Sequence, residues 1–360
     1  MDEDNKYLPS LDEYLRQGSP SKRECAANWQ TAIGLQAVDG LKPSEYLMDV
    51  ARRNIDGEIS LDESRRLIDS YYESKAARNE VEKGEEEADK VSANIARILS
   101  SQTFALTTNG YISLHRRIFD GVFPHAGEIR DYDISKREWV LNGDSVNYLN
   151  WEDLRRALDW DISQEKSFSY KLLTKDEVVE HIAKFVSGIW QIHAFREGNT
   201  RTTAVFTVQY LRSMGFDIDN SMFALHSWYF RNALVRANYI NVQNGIDYTP
   251  IYLERFFRNL LYGEHWSLKN RYLHIDAVQE QPVDGENVGS CVGSLTVAQL
   301  SDRQQKILKM IEDNPKISVA EMSVVLSVAK RTVERDLKAM RAVVRHEGNT
   351  SAGVWVILAE

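Results

Sequence analysis

The run His193-Ala194-Phe195-Arg196-Glu197-Gly198-Asn199-Thr200-Arg201 separates two stretches with helical periodicity. Before it, apolar residues recur at steps of three and four over residues 178–192, which predicts a long and mostly buried helix. After it, the same periodicity returns over residues 205–211 until Gly215, a residue typical of helix ends. The run is therefore predicted to form the corner between two consecutive helices.

The residue types of this corner suit the binding of an anion. The segment Gly198–Arg201, at the start of a helix, brings together unpaired backbone N–H groups, the positive end of the helix dipole and a guanidinium. Glu197 beside bound phosphates could complete the coordination shell of Mg²⁺. His193 stands at the loop entrance, where a general base is expected. An ordinary turn, with a solvated Arg-Glu pair and a histidine cap, would contain the same residues and stays an alternative.

The bulk composition argues against several classes of protein. The 360 residues, 43% of them hydrophobic, are enough for two or three domains. A formal net charge of -9 argues against nonspecific coating of nucleic acid, so any DNA binding must be local. Cys25 and Cys291 are far apart and indicate neither a disulfide framework nor a zinc site. The acidic N-terminus lacks a signal core and no run of about 18 apolar residues occurs, so we expect a cytoplasmic protein without a membrane partner.

Composition also divides the chain. The stretch 79–89 is rich in Glu and Lys, which is typical of a solvated helix face or a boundary. Residues 276–294 are rich in Gln, Pro, Gly, Asp and Ser, which is typical of a linker. The predicted parts are a helical unit at 1–78, a core at 79–275, a linker at 276–293 and a C-terminal domain at 294–360.

One segment of the core departs from the helical pattern. Residues 134–148 alternate between apolar and polar types and contain Asn142-Gly143, a strong signal for a two-residue hairpin turn. We therefore predict a short β-hairpin at this place. A plain surface ribbon would show the same pattern.

The corner resembles the signature of the Fic family, HPFx(D/E)GNGRxxR. The segment 127–130, Gly-Glu-Ile-Arg, is similar to the GxxR element that precedes a β-hairpin flap in that family. The resemblance covers roughly residues 90 to 265 and implies a helical Fic core with a flap at 134–148. The signature positions that match are His193, Phe195, Glu197, Gly198, Asn199 and Arg201.

The resemblance implies a nucleotidyl transfer. In the family, the histidine deprotonates a target hydroxyl, which attacks the α-phosphate of ATP while pyrophosphate leaves. This implies a catalytic role for His193, a loop-anchoring role for Phe195 and a role in Mg²⁺ binding for Glu197. The chain would then be a protein adenylyltransferase that moves AMP from ATP to a protein hydroxyl, its own included. The nucleotide-binding residues implied are Gly198, Asn199, Thr200 and Arg201.

Three positions differ from the family pattern. Ala194 replaces a proline and Thr200 replaces a glycine that lies against phosphate. Ala204 replaces a second arginine, which in the family pairs with the terminal phosphates. A different nucleotide, slow turnover and loss of activity therefore all stay open.

The resemblance implies roles for two further segments. The flap holds the target by strand addition, which implies contacts to the target from Lys136 and Trp139. Many family members also carry an inhibitory helix, (S/T)xxxE(G/N), whose glutamate pairs with the second arginine. The segment Leu35–Gly40 resembles it, with Asp39 in place of the glutamate and Gly40 after it, although a plain helix end would look the same. Because Ala204 is also altered, we expect no control through that particular pair. The rest of residues 24–75 is similar to the small helical antitoxins of two-component Fic modules, so the unit at 1–78 is predicted to be antitoxin-like.

The C-terminal domain resembles a winged helix. Three apolar faces follow one another, at 307–311, 319–326 and 333–340, with only a short turn between the last two. Residues 344–358 are predicted to form two strands, the wing. DNA contacts are expected from Lys330, Arg331 and Arg335 on the third helix. Such domains also serve as protein-docking modules.

Two readings of the whole chain follow. In the first, the chain is an enzyme that uses ATP and Mg²⁺ on a target protein or on itself. In the second, it is a DNA-binding regulator whose Fic core only senses nucleotide, which the loss of an arginine at position 204 favours. A homodimer is possible in either case.

Overall fold

In the computed structural model, the chain is mainly α-helical, as the sequence predicts. The structure describes residues 11–77, 84–101, 103–218, 221–277, 302–315 and 317–326, the single positions 328, 330, 333 and 337, and the segments 344–347 and 354–357. None of the helices in these ranges is long and apolar enough to cross a membrane.

The first helices are α1 (Asp12–Gln17), α2 (Pro20–Gly34), α3 (Glu45–Asp56) and α4 (Leu61–Ala77). Local signals set their ends. Ser44 caps α3 by accepting a hydrogen bond from the Leu47 N–H at 3.0 Å, and Gly57 ends it with φ 82°. Ser60 starts α4 by accepting from the Glu63 N–H at 3.1 Å, as its capping-box spacing predicts.

The following helices are α5 (Glu85–Leu99), α6 (Thr108–Ile118), α7 (Leu154–Ser167), α8 (Lys175–Ile192), α9 (Asn199–Ser213), α10 (Ser221–Leu225), α11 (Ser227–Ala237) and α12 (Ile251–Tyr262). Short 3-10 helices occur at Leu35–Asp39, Trp139–Leu141, Trp151–Asp153, Val242–Asn244 and Asn270–Tyr272. A complete capping box between Thr174 and Glu177 starts α8. These helices place the two sides of the predicted corner, α8 and α9, in the middle of the core.

The N-terminal helices share one hydrophobic core with the rest of residues 11–277. At Gly34, a Cβ would lie only 2.5 Å from the Cα of Ala224, so glycine lets α2 and α10 touch. The Ser227 hydroxyl donates to the Gly34 carbonyl at 2.8 Å. Buried Asp89 of α5 accepts from the Ser44 N–H at 2.8 Å. The N-terminal helices are therefore packed directly onto α5, α10 and α11 of the core.

The predicted β-hairpin is not confirmed, because the segment 134–148 contains no strand. Its turn does form: Asn142 and Gly143 have φ 56° and 85°, and the Asp144 N–H donates to the Leu141 carbonyl at 3.0 Å. The residues before the turn form the 3-10 helix Trp139–Leu141 instead of a strand. The segment is a loop closed by a hairpin-type turn.

The C-terminal unit, Val288–Glu360, has its own core. It contains α13 (Asp302–Asp313), α14 (Val319–Val325) and the antiparallel strands β1 (Val344–Glu347) and β2 (Val354–Ile357), with Val344 opposite Ile357. The two strands are the predicted wing. Val325, expected on an apolar face, is 67% exposed, so this part of the prediction is wrong. Lys330 is exposed, whereas Arg331 and Arg335 lie outside the described residues.

Candidate active site

The corner between α8 and α9 is a tight loop with left-handed backbone at both ends. His193 ends α8 with φ 50°, and Gly198 precedes α9 with φ 76°. A Cβ on Gly198 would lie 2.1 Å from Cζ of Phe119, so the close approach of this ring requires glycine. Among the residues that the structure describes, no side chain caps the N-terminus of α9. Its first backbone N–H groups therefore stay available for an anion.

The His193 imidazole is buried and has one unused nitrogen. Its Nδ1 lies 3.3 Å from the Trp190 carbonyl, to which it can only donate, so the lone pair is on Nε2. Nε2 is buried and has no hydrogen-bond partner among the described residues. Burial, and then the positive charge of Lys136, hold the pKa of His193 well below its ordinary value. The imidazole is thus neutral, with a free lone pair that can accept a proton.

Arg130 holds the backbone at His193 and Ala194 in place. Its side chain is fully buried, and its Nε donates to the His193 carbonyl at 2.8 Å. Its terminal nitrogens donate to the carbonyls of Tyr132, at 2.6 Å, and Leu149. Its own N–H donates to the Ala194 carbonyl at 2.9 Å. The arginine of the GxxR element therefore ties the histidine's backbone to both ends of the predicted flap segment.

Asn199 shapes the loop rather than pointing out of it. Its Nδ2 donates to the Phe195 carbonyl at 2.7 Å, and its Oδ1 accepts from the Phe195 N–H at 2.9 Å. Phe195 itself is fully buried. The hydroxyl of Thr200 accepts a hydrogen bond from the Trp190 indole N–H at 3.0 Å. Thr200 thus turns its side chain toward α8, while its hydroxyl proton can still be donated.

The Glu197 side chain is the exposed carboxylate of the loop. It is 57% exposed, and the Lys136 ammonium lies 3.2 Å from its Oε2. The described residues contain no group of three or more potential metal ligands. Mg²⁺ can be held by one carboxylate when phosphate oxygens and water complete its shell. Glu197 is the carboxylate of the loop with this chemistry, and in this conformation the Lys136 ammonium occupies it.

Arg201, expected to bind phosphate, is instead held by the 3-10 helix Leu35–Asp39 and by α5. Its side chain is only 2% exposed. Its Nε lies 2.8 Å from Asp39 Oδ2, in an ion pair without hydrogen-bond alignment, and one terminal nitrogen donates to Glu87 Oε1 at 2.7 Å. The other terminal nitrogen donates to buried Gln36 at 3.0 Å. We call Gln36, Asp39 and Glu87 the Arg201 clamp. Gly40, at φ 69°, ends the 3-10 helix that supplies Asp39.

The segment 134–148 covers the histidine. The Tyr148 ring lies 4.1 Å from the His193 ring, and its hydroxyl donates to Glu138 at 3.2 Å. Glu138 is fully buried and pairs with Arg231 of α11 at 2.7 Å. Trp139 is 49% exposed, with its ring edge-on to His274 at 5.1 Å. In this conformation the loop therefore packs over the imidazole, and the contact of Glu138 with Arg231 holds it there.

Sequence reasoning missed several of these residues. Glu87 lies in the charged stretch that was interpreted as solvated, and Gln36 is an ordinary residue of a helix end. Glu138 and Arg231 are 93 positions apart, and their pairing has no local signal. Arg130 could have been singled out, because it is the arginine of the GxxR element.

Two family models match parts of this chain. The model of the Fic/DOC family matches residues 105–211, and that of the DeoR-like helix-turn-helix domain matches residues 303–348. The chain is 24% identical over 183 residues to the protein adenylyltransferase VbhT of Bartonella schoenbuchensis, covering 47% of this chain and 37% of that protein. It is 30% identical over 128 residues to the probable protein adenylyltransferase y4lH of Sinorhizobium fredii, covering 35% of this chain and 62% of that protein. The matches thus span less than two thirds of either curated relative.

Among solved structures, the N-terminal Fic domain of a Bartonella effector protein from Bartonella sp. AR 15-3 aligns with 49% of this chain and 82% of that chain. The identity is 18% and the TM-score is 0.39. The family models, the matching signature at the corner between α8 and α9, and the two adenylyltransferase relatives lead to one assignment. The chain carries a Fic/DOC family domain at residues 105–211 and a DeoR-like helix-turn-helix domain at residues 303–348.

Proposed function

We propose that this chain is a protein adenylyltransferase that moves AMP from ATP to a hydroxyl of a target protein or of itself. The observation that carries the proposal is the buried, unpartnered Nε2 of His193, which lies at the entrance of a loop that ends in the uncapped N-terminus of α9. A neutral imidazole with a free lone pair is what a general base needs. The adenylyltransferase names of the two curated relatives point the same way.

Each site residue has its own role in the proposed reaction. The target hydroxyl loses its proton to His193 Nε2 as its oxygen attacks the α-phosphorus of ATP. The bond from that phosphorus to the bridging oxygen breaks, and pyrophosphate leaves. Glu197 would hold Mg²⁺, which neutralises phosphate charge when bound. The backbone of 198–201, with Arg201, would bind the phosphates by directed N–H groups, since such transfers depend chiefly on positioning and charge stabilisation.

The target enters beside the loop at 134–148. Under this proposal Lys136 and exposed Trp139 contact the target by their side chains, since the loop lacks the strand that strand addition would extend. Tyr148 covers His193 in the closed loop, so a target hydroxyl can reach Nε2 only after the ring moves. The proposed contact with the target is therefore coupled to opening of this loop.

The conformation described is an inhibited one under this proposal. Arg201 cannot bind phosphate while Asp39 and Glu87 occupy its guanidinium. The segment that ends at Asp39 and Gly40 would then inhibit through the first arginine of the signature. This differs from the family pattern, in which the second arginine is the partner, because position 204 is a buried alanine here.

The test uses the full chain with Mg²⁺ and ATP labelled at the α-phosphate. Label on the chain itself or on proteins of a lysate is expected, and ATP labelled at the γ-phosphate should give none. His193→Ala should abolish labelling and leave nucleotide affinity within a few fold, because the imidazole acts on the hydroxyl. His265→Ala, which changes an exposed histidine far along the chain, is the control. Equal labelling by parent and His193→Ala would refute the assignment.

A second candidate is a DNA-binding regulator whose Fic core senses nucleotide. The DeoR-like helix-turn-helix domain and Ala204 favour it. In that case the chain would bind DNA with an affinity that ATP changes, and it would transfer no label from ATP. The same labelling experiment, followed by DNA binding with and without ATP, separates the two candidates.

A further inference from the structure

His115 is a buried histidine of α6 whose two ring nitrogens both bond to backbone. Its Nδ1 accepts the Gly127 N–H at 2.9 Å, and its Nε2 lies 3.0 Å from the Glu197 carbonyl. Because Gly127 can only donate, Nδ1 holds a lone pair, and the ring proton must be on Nε2. Nε2–H therefore donates to Glu197. The two partners settle the tautomer without any further assumption.

The imidazole also packs with the rings of Phe195 and Phe119 under the corner loop, and we call these three rings the aromatic floor. It stacks on Phe195 with ring centres 3.8 Å apart and lies 4.7 Å from the Phe119 ring. Phe119 in turn approaches Gly198 closely and lies 4.8 Å below the Arg201 guanidinium. His115 is fully buried, so water does not compete for either hydrogen bond. The ring is thus held rigidly against the peptide that it bonds.

The bond to the Glu197 carbonyl has a geometric consequence for the next residue. In a trans peptide, the C=O of one residue and the N–H of the next point in opposite directions. With the Glu197 carbonyl turned down onto His115, the Gly198 N–H is turned away from the floor. Within the described residues no acceptor for this N–H is present, whereas most backbone donors in folded proteins have one. A phosphate oxygen would supply the missing acceptor.

We propose that His115 is a positioning residue for the phosphate site: its Nε2–H fixes the peptide between Glu197 and Gly198, which aims the Gly198 N–H and the Glu197 side chain at the nucleotide. This inference rests on the proposed function for the identity of the anion. The bond to Gly127 has a different task, since it joins the ring to the GxxR turn. The two ring nitrogens can therefore be tested separately.

Two substitutions remove one bond each. His115→Gln places an amide Nε2–H close to the imidazole Nε2 and can keep the bond to Glu197, but it leaves Gly127 without its acceptor. His115→Asn places Oδ1 close to Nδ1 and does the reverse. Both lose the stack on Phe195 and one hydrogen bond, so similar losses of thermal stability are expected.

The readout is hydrogen exchange of the backbone amides at 195–201 in the full chain, followed by calorimetric titration with inorganic pyrophosphate. We expect His115→Gln to keep the parental exchange rates and to bind pyrophosphate within about threefold of the parent. His115→Asn should exchange faster and bind roughly tenfold more weakly, the equivalent of one lost hydrogen bond. Equal behaviour of the two variants, or better retention by His115→Asn, would overturn the proposal.

The positioning role of His115 and the transfer activity can be contradicted separately. If the chain transfers no label but the Gln and Asn variants still differ in exchange and pyrophosphate binding, the positioning role stands and only the transfer activity falls. If labelling depends on His193 but the two variants behave alike, the positioning role falls alone. If the parent does not bind pyrophosphate, the exchange rates decide by themselves.

Discussion

Asp39 and Arg201 are 162 positions apart, yet Asp39 Oδ2 lies 2.8 Å from Nε of the buried Arg201 side chain. Asp39 ends a 3-10 helix, and Arg201 lies in the first turn of α9. The residue that resembles an inhibitory glutamate therefore meets the first arginine of the signature and not the position of the missing second one. The contact of this segment with the site therefore does not need an arginine at position 204.

Release of the Arg201 clamp should open the phosphate site. Asp39→Asn combined with Glu87→Gln keeps the shape of both side chains but removes the charges that compete with phosphate for the guanidinium. We expect pyrophosphate affinity to rise roughly tenfold, as one charge-assisted contact becomes available, together with a lower melting temperature. Calorimetry and thermal unfolding measure both. Glu86→Gln, on the same helix and paired with Lys90, is the control and should leave affinity unchanged.

The carboxylate of Glu197 should determine the dependence on Mg²⁺. Glu197→Ala is expected to abolish both transfer and the Mg²⁺ dependence of ATP binding, since the loop then offers no carboxylate to the ion. Lys136→Gln should act oppositely and lower the Mg²⁺ concentration needed, because an ammonium no longer lies 3.2 Å from the same oxygen. Titration of ATP affinity against Mg²⁺ tests both, with exposed Arg137→Gln as control. Unchanged Mg²⁺ dependence in Glu197→Ala would contradict its role as a ligand.

Replacement of Ala204 tests whether the missing arginine limits ATP binding. Arg has the forked geometry and permanent charge that phosphate oxygens accept best, so Ala204→Arg should tighten ATP by about 1.5 to 3 kcal/mol, or roughly ten- to a hundredfold. Because Ala204 is completely buried, the larger side chain should also lower the free energy of unfolding by about 1 to 3 kcal/mol. Ala204→Met shares the bulk without the charge. A folded Arg variant that binds ATP no better than the Met variant would show that the site suits another ligand.

Gly198 combines a left-handed backbone with a close ring contact, and the two contributions to stability can be separated. Gly215 has a similar φ of 89°, but a Cβ there would meet nothing within 4 Å. Gly215→Ala should therefore lower the free energy of unfolding by about 1 kcal/mol, which is the cost of a left-handed backbone at alanine. Gly198→Ala should cost about 1 to 3 kcal/mol more, because its Cβ would lie 2.1 Å from the Phe119 ring. Denaturant unfolding measures the difference, and equal losses would mean that the ring moves freely aside.

The C-terminal domain should bind DNA through its third predicted helix. Since the rest of this acidic chain repels phosphate, residues 294–360 alone should bind at least as well as the full chain. Arg331→Ala with Arg335→Ala should lose sequence preference as well as affinity, and affinity should fall only moderately with salt when few phosphates are neutralised. Selection from random duplexes, followed by titration at two salt concentrations, tests this. If no sequence is enriched and the double variant binds like the parent, the domain is a protein-docking module.

In the segment 134–148, local sequence signals predict the turn but not the structure on either side of it. Asn142-Gly143 determined a turn with positive φ at both residues, because few other dipeptides adopt it without strain. The strands on either side were not determined locally. The Leu141 N–H, which would donate to the Asp144 carbonyl in a two-residue hairpin, donates to the Glu138 carbonyl at 3.1 Å. The Val140 carbonyl accepts the Ile275 N–H at 2.9 Å, so a residue 135 positions later also holds this segment. A hairpin pattern predicts its turn more securely than its pairing, since pairing competes with the rest of the chain.

The sequence by itself determined the corner between α8 and α9, the capping box at Thr174, and the glycine and phenylalanine that shape the loop. These depend on steric and hydrogen-bonding preferences of residues a few positions apart. Only the tertiary structure decided that Arg201 is held by Asp39 and Glu87 and that Tyr148 covers His193. Such contacts join distant parts of the chain, and they form only where helix packing brings the charges and rings together, which no local spacing encodes.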